Sequence, residues 1–225
     1  MDTARIAALL EPFLERPLAA SQLGQISMYI DLLQRWNARI NLTAIREEEQ
    51  IVSRHFGESL FLARHLFPDG KSSKGAAHNS PRVVDIGSGA GFPGVPLKIW
   101  APGINLALIE SNQKKSAFLR EVARALTLTD INVITARAET LAAQVGKGFP
   151  AADVVTLRAV ERFETVLPQA VTFLAPQGRL ALLIGSAQVP RLSAMTSLKM
   201  TSLKWYPPIP VPHSTARVLA IGVRD

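Results

Sequence analysis

One stretch constrains the fold of this chain more than any other: a short apolar run that ends in an acid and opens into a glycine-rich turn. It lies between Arg82 and Trp100, RVVDIGSGAGFPGVPLKIW. The β-branched run VVDI is typical of a strand buried in a parallel sheet. Gly87, Gly89 and Gly91 allow a tight turn and the close approach of a ligand, and a proline then suits the first turn of a helix. The stretch therefore predicts a strand, a nucleotide-cofactor loop and a helix.

After this stretch the pattern alternates between strand and helix, which indicates parallel βαβ units. Further strands are predicted at residues 104–109, 131–135, 153–157 and 178–184, with helices at 112–126, 163–174 and 189–198. The tail from Lys204 to Asp225 reads as two β segments around a proline-rich turn, and we expect residues 217–223 to pair antiparallel at an edge of the sheet. Residues 1–67 show helical periodicity and predict a helical N-terminal extension. The polar stretch 68–81 predicts a linker to a Rossmann-like domain spanning 82–225.

Composition narrows the classes of partner. The chain has 225 residues, 25 Lys and Arg against 18 Asp and Glu, a formal charge of +7 and no cysteine. A basic balance favours a polyanionic partner such as RNA, whereas no apolar run reaches the roughly 20 residues of a membrane helix. The sequence shows no metal-ligand spacing, no thiol nucleophile and no secretion signal. We therefore expect a cytoplasmic protein that acts as a monomer, without a metal or a membrane.

The acid before the glycines favours one cofactor over another. A dinucleotide places its pyrophosphate on this loop, where the carboxylate of Asp85 would repel it. S-adenosylmethionine instead carries a sulfonium and an ammonium group and no phosphate. The glycine spacing also departs from GxGxxG, since the third glycine, Gly91, comes two residues after Gly89. S-adenosylmethionine is therefore the predicted cofactor.

Later strand ends supply further candidates for the cofactor site. Glu110 follows the second predicted strand, where a carboxylate can accept both ribose hydroxyls of an adenosine. Backbone groups around Ala138 and Glu139, after the third strand, can read the adenine edge. Arg158 follows the fourth strand, at the edge of an open sheet where ligands bind. We expect Arg158 to organise the cofactor and the target.

Six segments together resemble one family over nearly the whole chain: NLTAI, RHFGESL, VVDIGSGAGFPGVPLKI, LIESNQKKSAFL, ARAE and LRAV. The family is the bacterial small-subunit ribosomal RNA methyltransferase G, also called glucose-inhibited division protein B. The resemblance implies a class I, Rossmann-like methyltransferase that acts on N7 of guanine 527, in the 530 loop of 16S rRNA. It also implies that 16S rRNA or the small ribosomal subunit is the partner.

The resemblance assigns cofactor contacts to Gly87, Phe92, Ala138, Glu139 and Arg158, to which the charge argument adds Asp85 and Glu110. Gly89 belongs to the same loop. The chain departs from the family pattern at Glu58 and Glu110, which replace Asp, and at Ile184, which replaces Lys. Since that lysine is missing, a positive group near the RNA is expected from elsewhere. The candidates for RNA contact are Arg54, His55, Lys98 and Arg179.

The chemistry of guanine N7 fits the residues present. N7 has an in-plane lone pair and no proton, so its methylation needs no general base, and the sequence offers no obvious His and carboxylate pair. Two alternatives stay open at this point. One is a small-molecule methyltransferase of the same fold, and the other is a non-catalytic nucleotide-binding or RNA-binding module.

Overall fold

The protein is described by a computed structural model for residues 1–70, 80–159, 163–197 and 202–225. Its centre is an eight-stranded sheet with the order β3, β2, β1, β4, β5, β8, β6, and β7 pairs with β8. The five strands from β3 to β5 run parallel. The strand bounds are Arg82–Ile86 (β1), Asn105–Glu110 (β2), Ile131–Thr135 (β3), Ala152–Arg158 (β4), Leu174–Gly185 (β5), Leu203–Trp205 (β6), Ile209–Pro210 (β7) and Arg217–Arg224 (β8).

The parallel half of the sheet confirms the prediction of a mixed α/β, Rossmann-like fold with a helical N-terminal segment. The helices are Thr3–Leu10 (α1), Ala20–Ile40 (α2), Glu48–Gln50 (α3), Glu58–Leu66 (α4), Gly94–Trp100 (α5), Gln113–Ala125 (α6), Ala138–Ala142 (α7), Phe163–Thr172 (α8) and Val189–Ser197 (α9). A π-helical segment, Ile51–Gly57, joins α3 to α4. Asn112 begins α6 because its side chain accepts hydrogen bonds from the amides of Lys114 and Lys115.

The last strand lies elsewhere than the sequence predicted. β8 is antiparallel to β5, as expected, but β6 and β7 pair with its other side. The edge strand next to it is therefore the three-residue β6. A short edge strand exposes few unpaired backbone groups, which limits pairing with another chain. The sequence predicted two β segments in this tail but not their order in the sheet, because β6 and β7 are too short to show periodicity.

The helical extension and the sheet share one hydrophobic core. Ile6 and Leu33 from the N-terminal helices belong to the same buried cluster as Leu97 and Phe118 beside the sheet. A second cluster, around Val155 and Leu182, fills the opposite face. The extension is thus packed onto the sheet and its flanking helices. Of the predicted linker, residues 71–79 lie outside the described part of the chain. No helix in the described ranges is both long enough and apolar enough to cross a bilayer.

Candidate active site

A cleft lies at the carboxyl ends of the parallel strands, where the strand order reverses between β1 and β4. This switch point is where open α/β sheets bind ligands. The cleft has a volume of about 590 Å³, within the usual range for small-molecule sites. Four predicted cofactor residues line it directly: Gly87, Ala138, Glu139 and Arg158. Its other lining residues are Ile86, Ile109, Ser111, Ala136, Arg137, Leu157, Ala159, Val166 and Gln169.

The glycine loop has used its backbone donors within the protein. The amides of Gly87 and Ser88 donate to the carbonyl of Ile109 at 2.9 and 3.1 Å, and that of Gly91 donates to the carbonyl of Ser88 at 2.6 Å. The amide of Gly89 donates to Glu110 Oε2 at 2.9 Å. A pyrophosphate needs such amides to be free. The loop is consequently better suited to a ligand without phosphate.

Gly87 provides the open approach to the cleft. Its φ of +68° is unfavourable for other residues, and a Cβ built on it would meet nothing within 4 Å. Glu110 closes the other side of the loop, since its Oε1 accepts from the amide of Asn112 at 2.8 Å. Each carboxylate oxygen has a second lone pair. Glu110 therefore fixes the loop and keeps acceptor capacity for a hydroxyl group.

Asp85 lies deeper than the sequence suggested. It is 1% exposed and does not line the cleft. Thr156 Oγ1 donates to its Oδ1 at 2.7 Å, whereas its Oδ2, which lies against Gly94, has no partner of normal geometry among the described residues. Burial raises the pKa of Asp85 to about 6, against the lowering effect of hydrogen bonds from Thr156, Ser88 and Gly94. The carboxylate of Asp85 cannot contact a ligand in the cleft directly, and its charge can act on a bound cation only through the glycine loop that lies between them.

Ala138 and Glu139 form the first turn of α7, which follows β3. The first amides of a helix have no partner within it. The amides of Ala138 and Glu139 lie in this first turn beside the cleft and are suitable donors for the adenine edge, in line with the sequence-based expectation. The predicted residues therefore lie at the expected strand end and line the cleft.

An aromatic cluster supports the loop from behind. Phe92 stacks on Tyr29 and on His55, with ring centroids 5.4 and 4.8 Å apart, and meets Phe56 edge-on at 5.1 Å. Tyr29 also donates a short hydrogen bond to the carbonyl of Ala90. Phe92 is thus buried in the core and does not line the cleft. The support that Tyr29 gives to the loop is not evident from the sequence, because its position on α2 has the spacing of an ordinary core residue.

Arg158 joins the cleft to a buried ionic cluster. Its Nη2 lies 3.2 Å from Glu58 Oε2 and donates to the carbonyl of Arg54 at 2.8 Å. Glu58 is 3% exposed, and its Oε1 lies 3.4 Å from Nε of Arg217. Burial lowers the pKa of Arg158 to about 10, so that it stays cationic at neutral pH. Its Nη1 is buried and has no hydrogen-bond partner among the described residues.

The π-helical segment explains how the cluster assembles. Single π turns are frequent at functional sites because they place side chains and carbonyls out of α-helical register. Here they bring the carbonyl of Arg54 to Arg158, and the hydroxyl of Ser59 donates to the carbonyl of His55 at 2.5 Å. Glu58 follows directly in α4. The sequence indicated Glu58 as a family position but gave no sign of its partner Arg217, which lies 159 residues away.

Of the four candidates for RNA contact, all within the described residues, Arg54 alone has a position that fits this role. Arg54 is exposed beside the cluster. His55 is 8% exposed, its Nε2 lies 2.8 Å from Thr43 Oγ1, and burial and neighbouring arginines lower its pKa to about 3. Lys98 is 1% exposed and donates to the carbonyls of Pro102 and Ile104.

Arg179 lies at the opposite edge of the sheet. It pairs with Val154 near the start of β4, whereas the cleft lies where β4 ends, and its guanidinium lies over the ring of Phe67. The positions of His55, Lys98 and Arg179 therefore do not fit the predicted RNA contacts. His55 is buried and neutral, and Lys98 is buried. Arg179 lies at the edge of the sheet opposite the cleft. Sequence spacing could not show these positions because burial and strand direction depend on the complete fold.

Comparison with known proteins agrees with this geometry. Residues 22–204 match the GidB family, described as rRNA small subunit methyltransferase G. The chain belongs to this family. The protein of that name from Roseiflexus sp. (strain RS-1) is 45% identical over 158 residues, which cover 70% of this chain and 63% of the relative. The one from Streptococcus agalactiae serotype III (strain NEM316) is 37% identical over 185 residues, covering 81% and 73%.

The alignments with the first four relatives span 62–65% of those proteins. Two solved structures show the fold of this GidB family member. Ribosomal protein L11 methylase from Lactobacillus delbrueckii subsp. bulgaricus is 16% identical, with a TM-score of 0.55 over 75% of this chain and 80% of that one. P. horikoshii TYW2 in complex with MeSAdo is 14% identical, with a TM-score of 0.54 over 76% and 62%. The fold is that of class I methyltransferases.

Proposed function

We propose that this chain transfers a methyl group from S-adenosylmethionine to N7 of guanine 527, in the 530 loop of 16S rRNA. Membership of the GidB family supports the reaction. The structural observation that carries the proposal is the position of Arg158, which lines the cofactor-sized cleft and is held there by Glu58 and by the carbonyl of Arg54. A fixed cation at this point can orient a cofactor and an incoming base together.

The residues present fit S-adenosylmethionine. The loop amides are occupied, Gly87 opens to the cleft, and two carboxylates lie nearby, so the site favours a cationic ligand without phosphate. Glu110 would hold the ribose hydroxyls, while Ala138 and Glu139 would meet the adenine. Asp85 would contribute its charge from beneath the loop. When bound, the cofactor supplies an electrophilic methyl group on its sulfonium.

The chain then has to align the reacting atoms, since guanine N7 needs no base. Alignment of two reactants in a near-attack geometry is worth up to about 7–11 kcal/mol. Guanine presents O6 as a second acceptor beside N7 on its Hoogsteen edge, and a cation that Glu58 holds at the cleft would favour O6 while the N7 lone pair stays free for the methyl group. We expect an unpaired loop guanine, because only such a base can enter a cleft edge-on. An rRNA substrate implies action in the cytoplasm.

Methyl transfer to defined substrates tests the proposal. Recombinant protein, labelled S-adenosylmethionine and undermodified small subunits should give one labelled nucleotide, guanine 527, with the label at N7. Free 16S rRNA should be assayed in parallel to identify the form of the substrate. Turnover on a small molecule without RNA would favour the alternative enzyme class. Absence of cofactor binding by calorimetry at millimolar concentration would contradict any methyltransferase function.

A further inference from the structure

A second cavity adjoins the ionic cluster on the side facing away from the cofactor cleft. It has a volume of about 310 Å³, and Arg54, Glu58, Ser214, Thr215 and Arg217 are among its lining residues. Glu58 therefore separates two cavities, with Arg158 on the cofactor side and Arg217 on the other. Arg54 connects them as well, because its carbonyl accepts from Arg158 while its exposed side chain lines the second cavity. The two cavities are thus linked through the ion pairs of Glu58 with Arg158 and Arg217.

This second cavity is cationic. Of the described residues that line it, Glu58 is the one acid, and both of its oxygens are already engaged by guanidinium groups. Arg217 approaches Glu58 through Nε, and its side chain stays partly exposed, at 28%. Arg54 has no acidic partner within 4 Å in the described ranges. Three guanidinium groups therefore surround one carboxylate, an excess of positive charge beside open space.

Hydroxyl groups complete the lining. Ser214 Oγ accepts from the amide of Ala216 at 3.4 Å, so its own proton remains available to a ligand. Thr215 is exposed next to it. Guanidinium groups together with hydroxyls are the usual donors to phosphate oxygens. The chemistry favours a tetrahedral anion with several acceptor oxygens.

We propose that this cavity, lined by Arg54, Ser214, Thr215 and Arg217, binds a backbone phosphodiester of the RNA strand whose base enters the cofactor cleft. The inference rests on the proposed function. A nucleotide carries its base and its phosphate as neighbouring groups, and the two cavities are neighbours across Glu58 and Arg158. Filling both would fix the register of the strand, since phosphate contacts position a nucleic acid while base contacts select it.

A matched pair of variants at Thr215 tests the phosphate site. Thr215→Glu introduces a negative charge into the cavity, whereas Thr215→Gln introduces a neutral side chain of similar size. Fluorescence anisotropy with a labelled single-stranded oligoribonucleotide should give an affinity at least about tenfold lower for the Glu variant, because like charges oppose binding. The Gln variant should stay close to wild type. Calorimetry with S-adenosylmethionine should give equal affinities for both.

The salt dependence of RNA binding provides a second measurement. Each phosphate contact in single-stranded nucleic acid contributes about 0.7 to the slope of log K against log salt. Arg54→Gln should lower the slope by about that amount. Arg124→Gln is the control, since Arg124 is exposed in the last turn of α6, which runs back from the cofactor edge of the sheet to the opposite edge. Its slope should equal that of the wild type.

Equal RNA affinities for Thr215→Glu and Thr215→Gln would overturn the inference, as would equal slopes for Arg54→Gln and wild type. Inorganic phosphate at matched ionic strength provides a further arm. Phosphate could raise the melting temperature of Thr215→Gln but not of Thr215→Glu while their RNA affinities were equal. The cavity would then bind a free anion and not the RNA backbone, which would overturn the inference. These binding measurements do not depend on methyl transfer. A chain that binds RNA as expected but methylates no subunit would refute the proposed function and leave the phosphate site supported.

Discussion

The buried carboxyl of Asp85 makes a quantitative prediction about stability against pH. Burial raises its pKa from 3.8 to about 6. A rise of about 2 in pKa is worth about 3 kcal/mol, at about 1.36 kcal/mol per unit. Because the folded-state pKa lies above the unfolded one, this contribution is fully present below about pH 4 and is lost as pH rises through about 6. The side chain is 1% exposed, so solvent screening reduces the figure little.

Asp85→Asn removes this titration. The free energy of unfolding of the variant minus that of the wild type should therefore rise by about 3 kcal/mol between pH 4 and pH 8. Other groups titrate equally in both proteins and cancel in the difference. Any constant cost of placing an amide beside Gly94 cancels as well, because it does not change with pH. The change with pH is thus a sharper measure than stability at one pH.

Urea unfolding followed by circular dichroism at steps from pH 4 to pH 8 gives this difference. Asp31→Asn, which removes an exposed carboxylate from α2, is the control for the loss of one negative charge. A difference that is flat with pH, or that falls, would refute the assignment of a raised pKa. Calorimetry should also show weaker binding of S-adenosylmethionine by Asp85→Asn. Unchanged affinity would remove Asp85 from the electrostatics of the cofactor site.

Three further substitutions test the supports of the cleft. Tyr29→Phe keeps the ring that stacks on Phe92 but loses the donor to the Ala90 carbonyl. We expect the free energy of unfolding in urea to fall by about 1–3 kcal/mol and cofactor binding to weaken. Unchanged stability would contradict this. Gly87→Ala should cost about 1–2 kcal/mol through its positive φ and should weaken cofactor binding in calorimetry. Arg158→Lys retains the charge without the planar fork, so turnover should fall about 10²-fold through misalignment; a wild-type rate would remove its assigned role.

The sequence by itself determined the parallel half of the fold and the position of the cleft. A strand buried on both faces has to be apolar throughout, and a turn that a ligand approaches closely has to contain glycine, so VVDIGSGAG specifies both locally. The strands predicted at residues 104–109 and 131–135 and the helix after Asn112 follow from the same short-range rules. Gly87, Ala138, Glu139 and Arg158 lie at the cleft because parallel strands end at one edge of a sheet.

Tertiary structure alone decided which charged groups are available. Lys98 and Arg54 are similar in sequence terms, yet Lys98 donates to backbone carbonyls in the interior while Arg54 is exposed at the second cavity. The partnership of Glu58 with Arg158 and Arg217 joins three distant segments, and no local pattern encodes such contacts. Secondary structure and the glycine loop depend on neighbours in the chain, whereas burial and ion pairing depend on neighbours in space. That is why the glycine loop and the cleft beside it could be predicted from the sequence, whereas the exposure and pairing of the charged residues could not.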